Sequence, residues 1–349
     1  MSTGNSLEFD WQIIGHEKIK KFLQKSIVNQ TIAHAYLFYG PSKVGKTLTA
    51  KTFANSLVCE KYGTYVKSTN LGAVVPCGQC SACQQFQKNI YPDLYIVDRE
   101  INEKTGKKKS VISVAQIRDL LEKISKRAFL NSFKIVLIPE AQLLNQEASN
   151  ALLKTLEEPA PRTVIILGSP NKDSLLPTIL SRVQMFKFLP VTRQEIYDHL
   201  LDKGANREQA KSLSSVALGR PTVAMKFYNN LPSLDDYNQI IEGMLDLLNE
   251  NSTARFKYIE ELVENNKDID EVIKILNYFS AIARDLLLVA NSQENLITNQ
   301  KFENNYKEIF ANYKQSVLLS FLRDIEKAKK LLRQNINPRL LFENLIINI

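Results

Sequence analysis

Long apolar runs are missing from this 349-residue sequence, which has no stretch of 18 or more apolar residues. That excludes a hydrophobic helix long enough to cross a bilayer, and no membrane partner is expected. The opening MSTGNSLEFDWQ has no basic end followed by an apolar core. A secretory signal is therefore not expected, and a cytoplasmic location is. Cysteine is scarce: Cys59, Cys77, Cys80 and Cys83 are the four in the chain, and they fall in one stretch. That placement argues against a disulfide framework and points to metal. No internal repeat or low-complexity tract suggests a solenoid or a disordered arm. Of the three histidines, His34 directly precedes an apolar segment and is expected to pack there instead of acting as a ligand or base. The single tryptophan, Trp11, is expected to anchor the N-terminal segment.

What is present is the make-up of a globular protein with two or three domains: 44% apolar and 23% charged residues. Lys plus Arg number 45 against 37 Asp plus Glu, a surplus of eight. Such a surplus suits work near nucleic acid, and equally a merely soluble surface.

Short apolar strands are expected at 35–39 (AYLFY), 93–98, 134–140, 163–169 and 183–189. Helical periodicity lies between them, notably at 114–129 and 145–158. Apolar strands alternating with amphipathic helices imply a parallel sheet covered on both faces. Residues 60–76 read as a loop, and so does the basic stretch EKTGKKKS at 103–110. After Pro190 the strand signals stop. Three short helices are expected over 192–228 and almost unbroken helix from about Ser233 to Ile349, with domain boundaries near 190 and 230.

Between the first buried strand and its helix lies Gly40-Pro41-Ser42-Lys43-Val44-Gly45-Lys46-Thr47, a complete G-x-x-x-x-G-K-[ST] phosphate loop. Glycines let backbone N–H groups curl around a phosphate, and the helix start adds its positive dipole end. Lys46 can reach the outer phosphates of ATP or ADP, and the Thr47 hydroxyl can ligate magnesium. Enzymes that hydrolyse nucleotide this way end a strand with an acidic pair. Here KIVLIPE ends in Pro139 and Glu140, so the magnesium-holding carboxylate is replaced by a side chain that cannot coordinate metal. Glu140 is thus a doubtful catalytic residue, more readily read as a strand-end carboxylate facing solvent.

The cysteines form C-x17-C-x2-C-x2-C. Two-residue spacings let thiolates converge on one ion, and four thiolates complete tetrahedral zinc with no open position, a structural site. An iron–sulfur cluster also fits the residue types.

HAYLFYG before the loop, the cysteines after its helix, ASNALLKTLEEP at 148–159, TILSR at 178–182 and NPRLLFENLI at 337–346 together resemble bacterial clamp-loader subunits of the AAA+ type. The resemblance runs from about Phe9 to Ile349. Two related members share the pattern, the delta-prime subunit of DNA polymerase III and the gamma/tau ATPase. The resemblance implies an α/β AAA+ domain over 1–190 with a zinc-binding insertion at 59–83, a three-helix lid over 191–230, and an all-α collar over 231–349 that packs five subunits into a ring. It implies that Ser169 stands where the family senses the outer phosphate and that Ile14 and Gly15 frame the base. It also implies that Arg182 reaches a neighbouring subunit's nucleotide site. The family's Ser-Arg-Cys motif is reduced here to Ser181-Arg182, followed by Val183. At the second sensor, Thr222 stands where hydrolysing relatives place an arginine, and the GRP segment at 219–221 resembles delta-prime more than gamma/tau.

The implied partners are gamma/tau and delta subunits in a hetero-pentamer, a sliding clamp, and primer-template DNA held through its backbone. An active gamma/tau-like motor is the alternative, and a metal-containing NTPase acting on RNA is a further one. Lysines 107–109 can join the DNA contact, or simply solvate their loop.

Overall fold

The computed structural model describes residues 7–67, 73–101, 106, 108–126, 128, 133–265, 269–332 and 336–347. The chain forms two compact units: Met1–Glu195 with Arg220–Thr222, and Ile196–Gly219 with Val223–Ile349.

In chain order the first unit contains β1 (Leu7–Phe9), α1 (Glu17–Val28), β2 (Ala35–Tyr39), α2 (Lys46–Val58), α3 (Glu60–Lys67) and β3 (Ala73–Val75). It continues with α4 (Ser81–Gln87), β4 (Leu94–Ile96), α5 (Val114–Ser125), β5 (Lys134–Ile138), α6 (Gln146–Glu157), β6 (Thr163–Ser169), α7 (Pro177–Leu180) and β7 (Gln184–Lys187). Five strands make one parallel sheet in the order β4-β5-β6-β2-β7. Alternate residues feed two apolar layers, as the two-residue period of a strand requires. Tyr36, Phe38, Ile135, Leu137, Val164 and Ile166 enter one, with Leu23, Phe53 and Leu57 of α1 and α2. Leu37, Val136, Ile138, Ile165 and Leu167 enter the other, with Ile117 and Leu120 of α5 and Leu152 of α6. Each such buried side chain contributes about 1.5–3 kcal/mol. This is the parallel α/β sheet, covered on both faces, that the alternation of strands and helices implies.

Local sequence explains where the helices begin. Ser113 and Gln116 form a reciprocal capping box on α5. Asn145 caps α6 by accepting the Ala148 amide at 2.8 Å. Both helices follow the expected periodicity; of the expected span 114–129, residues 127 and 129 lie outside the described residues.

Residues 60–76 are not simply a loop. Directly after Cys59 the chain forms α3, with Tyr62 buried, and β3 then pairs in parallel with β1 as a separate two-stranded sheet. Residues 68–72 lie outside the described residues. Trp11 is the anchor the sequence suggests: it is buried, and its indole N–H donates to Ser56 Oγ at 3.0 Å. His34 packs as expected, with Nε2 3.0 Å from the Leu156 carbonyl oxygen. Lys108 and Lys109 form exposed ion pairs with Asp98 and Glu100, and Lys107 lies outside the described residues.

In the first helical stretch after the sheet, α8 (Arg193–Asp202) spans the division between units. The second unit goes on through α9 (Arg207–Val216), α10 (Pro221–Asn229), α11 (Leu231–Asn249), α12 (Ser252–Asn265), α13 (Ile269–Ala290), α14 (Glu303–Phe310), α15 (Gln315–Leu332) and α16 (Pro338–Ile347). Phe279 of α13 packs edge-on against Phe321 of α15 at 6.1 Å. A polar knot pins the turn after α13: fully buried Asp285 accepts the Thr298 and Asn299 amides at 3.0 and 3.1 Å, and Tyr237 donates to Asn299 Oδ1 at 2.7 Å. Burial pushes the Asp285 carboxyl up, and the backbone N–H bonds hold it down in part. Among the described residues no helix is long and apolar enough to cross a membrane.

Gly168 marks a close approach inside the sheet: a Cβ there would stand 2.4 Å from the Pro139 carbonyl oxygen. Backbone faces backbone at that point, so neither side can yield. Gly168→Ala is expected to cost about 1–3 kcal/mol. Gly63→Ala, in α3 with open space around the site, is expected to be neutral or stabilising by about 0.5–1 kcal/mol. Urea midpoints of the two variants against wild type check both signs.

Candidate functional site: a phosphate loop and a thiol cluster

β2 ends at Tyr39, and the phosphate loop leaves the sheet at its C-terminal edge, where open α/β sheets place their ligand crevices. Gly40 sits at φ 143°, and a Cβ on it would lie 2.0 Å from the Phe188 carbonyl oxygen. Its amide donates to the Ser169 carbonyl at 3.1 Å. Lys43 and Gly45 are also left-handed, at φ 66° and 107°, so the loop curls before α2 begins at Lys46. Pro41, Ser42, Lys43 and Thr47 are exposed, whereas Val44 and Gly45 are buried.

Lys46 is half-buried and folds back onto its own loop, donating to the carbonyls of Gly40 at 2.6 Å and Pro41 at 2.7 Å. Burial holds its ammonium down to about 8, well below an ordinary lysine. Lys46 and Thr47 line a small cleft with Phe38, Ala50, Leu137, Pro139, Ile166, Leu167 and Gly168. The proline the sequence places at the acidic position does lie beside the loop, and the described residues lining this cleft include no carboxylate. Glu140, next along, is turned to Arg99, whose Nε donates to its Oε2 at 3.2 Å.

Ser169 is buried at the end of β6, opposite Tyr39 in the sheet. Its hydroxyl donates to the Asn171 carbonyl at 2.6 Å and lies 2.9 Å from Ser174 Oγ. Thr222 brings its amide to the Lys43 carbonyl at 3.3 Å. Ile14 and Gly15 are buried, and a Cβ on Gly15 would meet Val191 Cγ1 at 2.5 Å. Arg182 follows α7 with its side chain 32% exposed; Nη1 donates to the Thr178 carbonyl at 2.9 Å and Nη2 pairs with Glu157 Oε1 at 2.6 Å. No motif marks His16, yet its Nε2 lies 2.8 Å from the Val44 carbonyl oxygen, inside the phosphate loop.

The four cysteines converge as their spacing requires. Cys59 ends α2, and Cys77, Cys80 and Cys83 surround the start of α4. All four Sγ atoms lie within 4.8 Å of one another. Tetrahedral thiolates at about 2.3 Å from one ion would stand about 3.8 Å apart, so the set can hold a metal ion. The Cys80 amide donates to Cys77 Sγ and the Cys83 amide to Cys80 Sγ, each at 3.4 Å. The Cys59 thiol is held down, chiefly by the Cys83 side chain beside it, and the Cys83 thiol is pushed up in turn.

Comparison with known proteins agrees with this geometry. The family profile "DNA polymerase III, delta subunit" matches residues 15–192, and "DNA polymerase III, delta subunit, C terminal" matches 233–349. DNA polymerase III subunit tau of Bacillus subtilis is 27% identical over 362 residues, which cover 97% of this chain and 60% of that protein. Subunit delta' of Pseudomonas aeruginosa is 34% identical over 226 residues, 64% of this chain and 63% of that one. Subunit delta' of Bacillus subtilis is 27% identical over 332 residues, 95% and 94% respectively. The chain thus spans about 60% of the length of the first two of these relatives. With one profile covering the sheet and its loops and the other the C-terminal helices, the chain belongs to the DNA polymerase III delta-subunit family, as a delta-prime-like member.

Proposed function

We propose that this chain is a clamp-loader ring component that holds ATP or ADP on its phosphate loop with little hydrolysis of its own. It donates Arg182 to a neighbouring ATPase site and helps place a sliding clamp on primed DNA in the cytoplasm. Residues 191–230 serve as lid and 231–349 as collar, alongside gamma/tau and delta subunits in a five-membered ring. The observation that carries the reading is the cleft in which Lys46 and Thr47 meet Pro139 instead of a carboxylate. Phosphate can be cradled there, but nothing in that lining fixes magnesium opposite Thr47 or polarises a water. This weighs against the motor reading, as does the engagement of Glu140 with Arg99.

Arg182 is suited to act outside its own domain. Its ion pair with Glu157 is partly exposed, and such pairs are worth about 0–1 kcal/mol. Leaving Glu157 for the charge developing on a transferred phosphoryl group is therefore inexpensive. The four cysteines hold zinc as a structural ion, tying the end of α2 to α4 across α3 and β3.

Three outcomes are expected. The purified chain hydrolyses little ATP, and Arg182→Ala lowers hydrolysis by the assembled ring by at least about tenfold with assembly intact. Robust ATPase from the isolated chain, abolished by Lys46→Ala, would overturn the scaffold reading in favour of a motor. Affinity for ADP falls as pH rises through about 8, because the loop lysine loses its proton there; Lys46→Arg, always charged, removes that fall. Finally, native mass spectrometry finds one zinc per chain. Cys80→Ser or a strong chelator releases it and lowers the melting temperature.

A further inference from the structure

We infer that His16 is a positioning residue for the nucleotide site: its imidazole N–H holds the Val44 carbonyl and so aims the Gly45 amide into the phosphate cradle. The inference rests on the nucleotide-binding reading of the loop and deepens it.

The geometry is unusual for a side chain outside the motif. Gly15 and His16 are both left-handed, at φ 69° and 58°. Glycine adopts this freely, while histidine does so uncommonly and at some cost. The consecutive left-handed pair turns the chain sharply into α1, whose Ile19 and Lys20 amides bond the His16 carbonyl at 2.9 and 3.0 Å. It also delivers the ring across 28 positions of sequence to the Val44 oxygen, at 2.8 Å. The ring packs on Phe188 at 4.6 Å between centroids. Phe188 is the residue whose carbonyl abuts Gly40 and whose amide bonds the Tyr39 carbonyl at 2.7 Å. The imidazole is thus clamped between Phe188, the residue after β7, and the loop itself.

The consequence follows from peptide geometry. A carbonyl oxygen accepts, so Nε2 carries the proton toward Val44. In a trans peptide the N–H points opposite to the C=O. With the Val44 oxygen drawn to His16, the Gly45 N–H is directed away from the ring. Among the described residues that amide donates no hydrogen bond, and a Cβ on Gly45 would meet nothing within 4 Å. An amide so oriented at the head of α2 is a donor for an anionic oxygen. His16 also joins the segment beside Ile14 and Gly15 to the loop, so base and phosphate contacts are set by one strained corner.

Two substitutions separate the hydrogen bond from the backbone. His16→Asn tolerates the left-handed conformation but is too short to reach Val44; His16→Gln keeps an N–H at similar reach. Titration of the full chain with a fluorescent ADP analogue and magnesium is expected to show affinity reduced roughly three- to tenfold in His16→Asn and largely restored in His16→Gln. Amide exchange of the 40–47 peptide, read without nucleotide, is expected to rise in His16→Asn and not in His16→Gln. Wild-type affinity and exchange in His16→Asn, or an equal loss in both variants, would overturn the assignment. Lys46→Ala serves as the reference. A wild-type chain that binds no analogue better than Lys46→Ala defeats the nucleotide reading, and the exchange measurement then decides the role of His16 by itself.

Discussion

The contact between Gly40 and the backbone of Phe188 is the constraint on which the site depends. β2 lies between β6 and β7, with Tyr39 opposite Ser169 on one side and Lys187 on the other. The next residue must leave the sheet while squeezed between two neighbouring strands. It does so with its amide on Ser169 and no room for a side chain against the Phe188 carbonyl. Everything downstream inherits its position from that exit: the left-handed turns at Lys43 and Gly45, the start of α2, and the direction of Lys46. A side chain at position 40 would push the loop off the sheet edge, and no rearrangement of Lys46 could recover the geometry. Gly168 repeats the device one strand over, against Pro139 just past the end of β5.

The thiol cluster solves a different problem. α3 is eight residues long and carries glycine and threonine, so its own propensity is poor. β1 and β3 have three residues each, too few for an independent sheet. These pieces persist because their ends are fixed. Cys59 precedes α3 directly, Tyr62 is buried under it, and Glu60 accepts the Ala82 amide at 3.3 Å, linking α3 to α4. A metal ion at four converging sulfurs would concentrate that fixation at a single point, where the apolar area of such small elements is insufficient.

The same reasoning explains what was legible in the sequence. β2, β5 and β6 announce themselves because a strand buried on both faces is continuously apolar, and α5 and α6 because capping residues precede a clear period. The phosphate loop is legible in full, since its chemistry demands particular residues at particular spacings. β1, β3 and α3 are not legible, because their stability comes from long-range ties and not from local pattern. His16 escapes for the same reason. Its place depends on a left-handed backbone and a partner 28 positions away, and only the adjoining Gly15 hints at either. The pairing of Arg182 with Glu157 is likewise invisible: two charges 25 positions apart carry no periodic signature, although both lie within quoted family motifs.

Taken together, the polar groups around the loop divide into those turned inward and those left available. Glu140 is committed to Arg99, Ser169 to the turn at Asn171 and Ser174, and His16 to Val44. Lys46 and Arg182 differ in kind. Each is held by interactions that an incoming phosphate would replace with stronger ones: carbonyl dipoles for Lys46, and for Arg182 the Thr178 carbonyl, the Ser181 hydroxyl and a partly exposed carboxylate. A cation parked on partly exposed partners costs little to redeploy, whereas Glu140, turned to Arg99, is not among the residues lining the Lys46 cleft. On the proposed reading, the chain therefore keeps the cationic half of nucleotide chemistry and lacks the anionic half. That asymmetry fits a subunit whose arginine completes a neighbour's site more readily than its own loop completes a reaction.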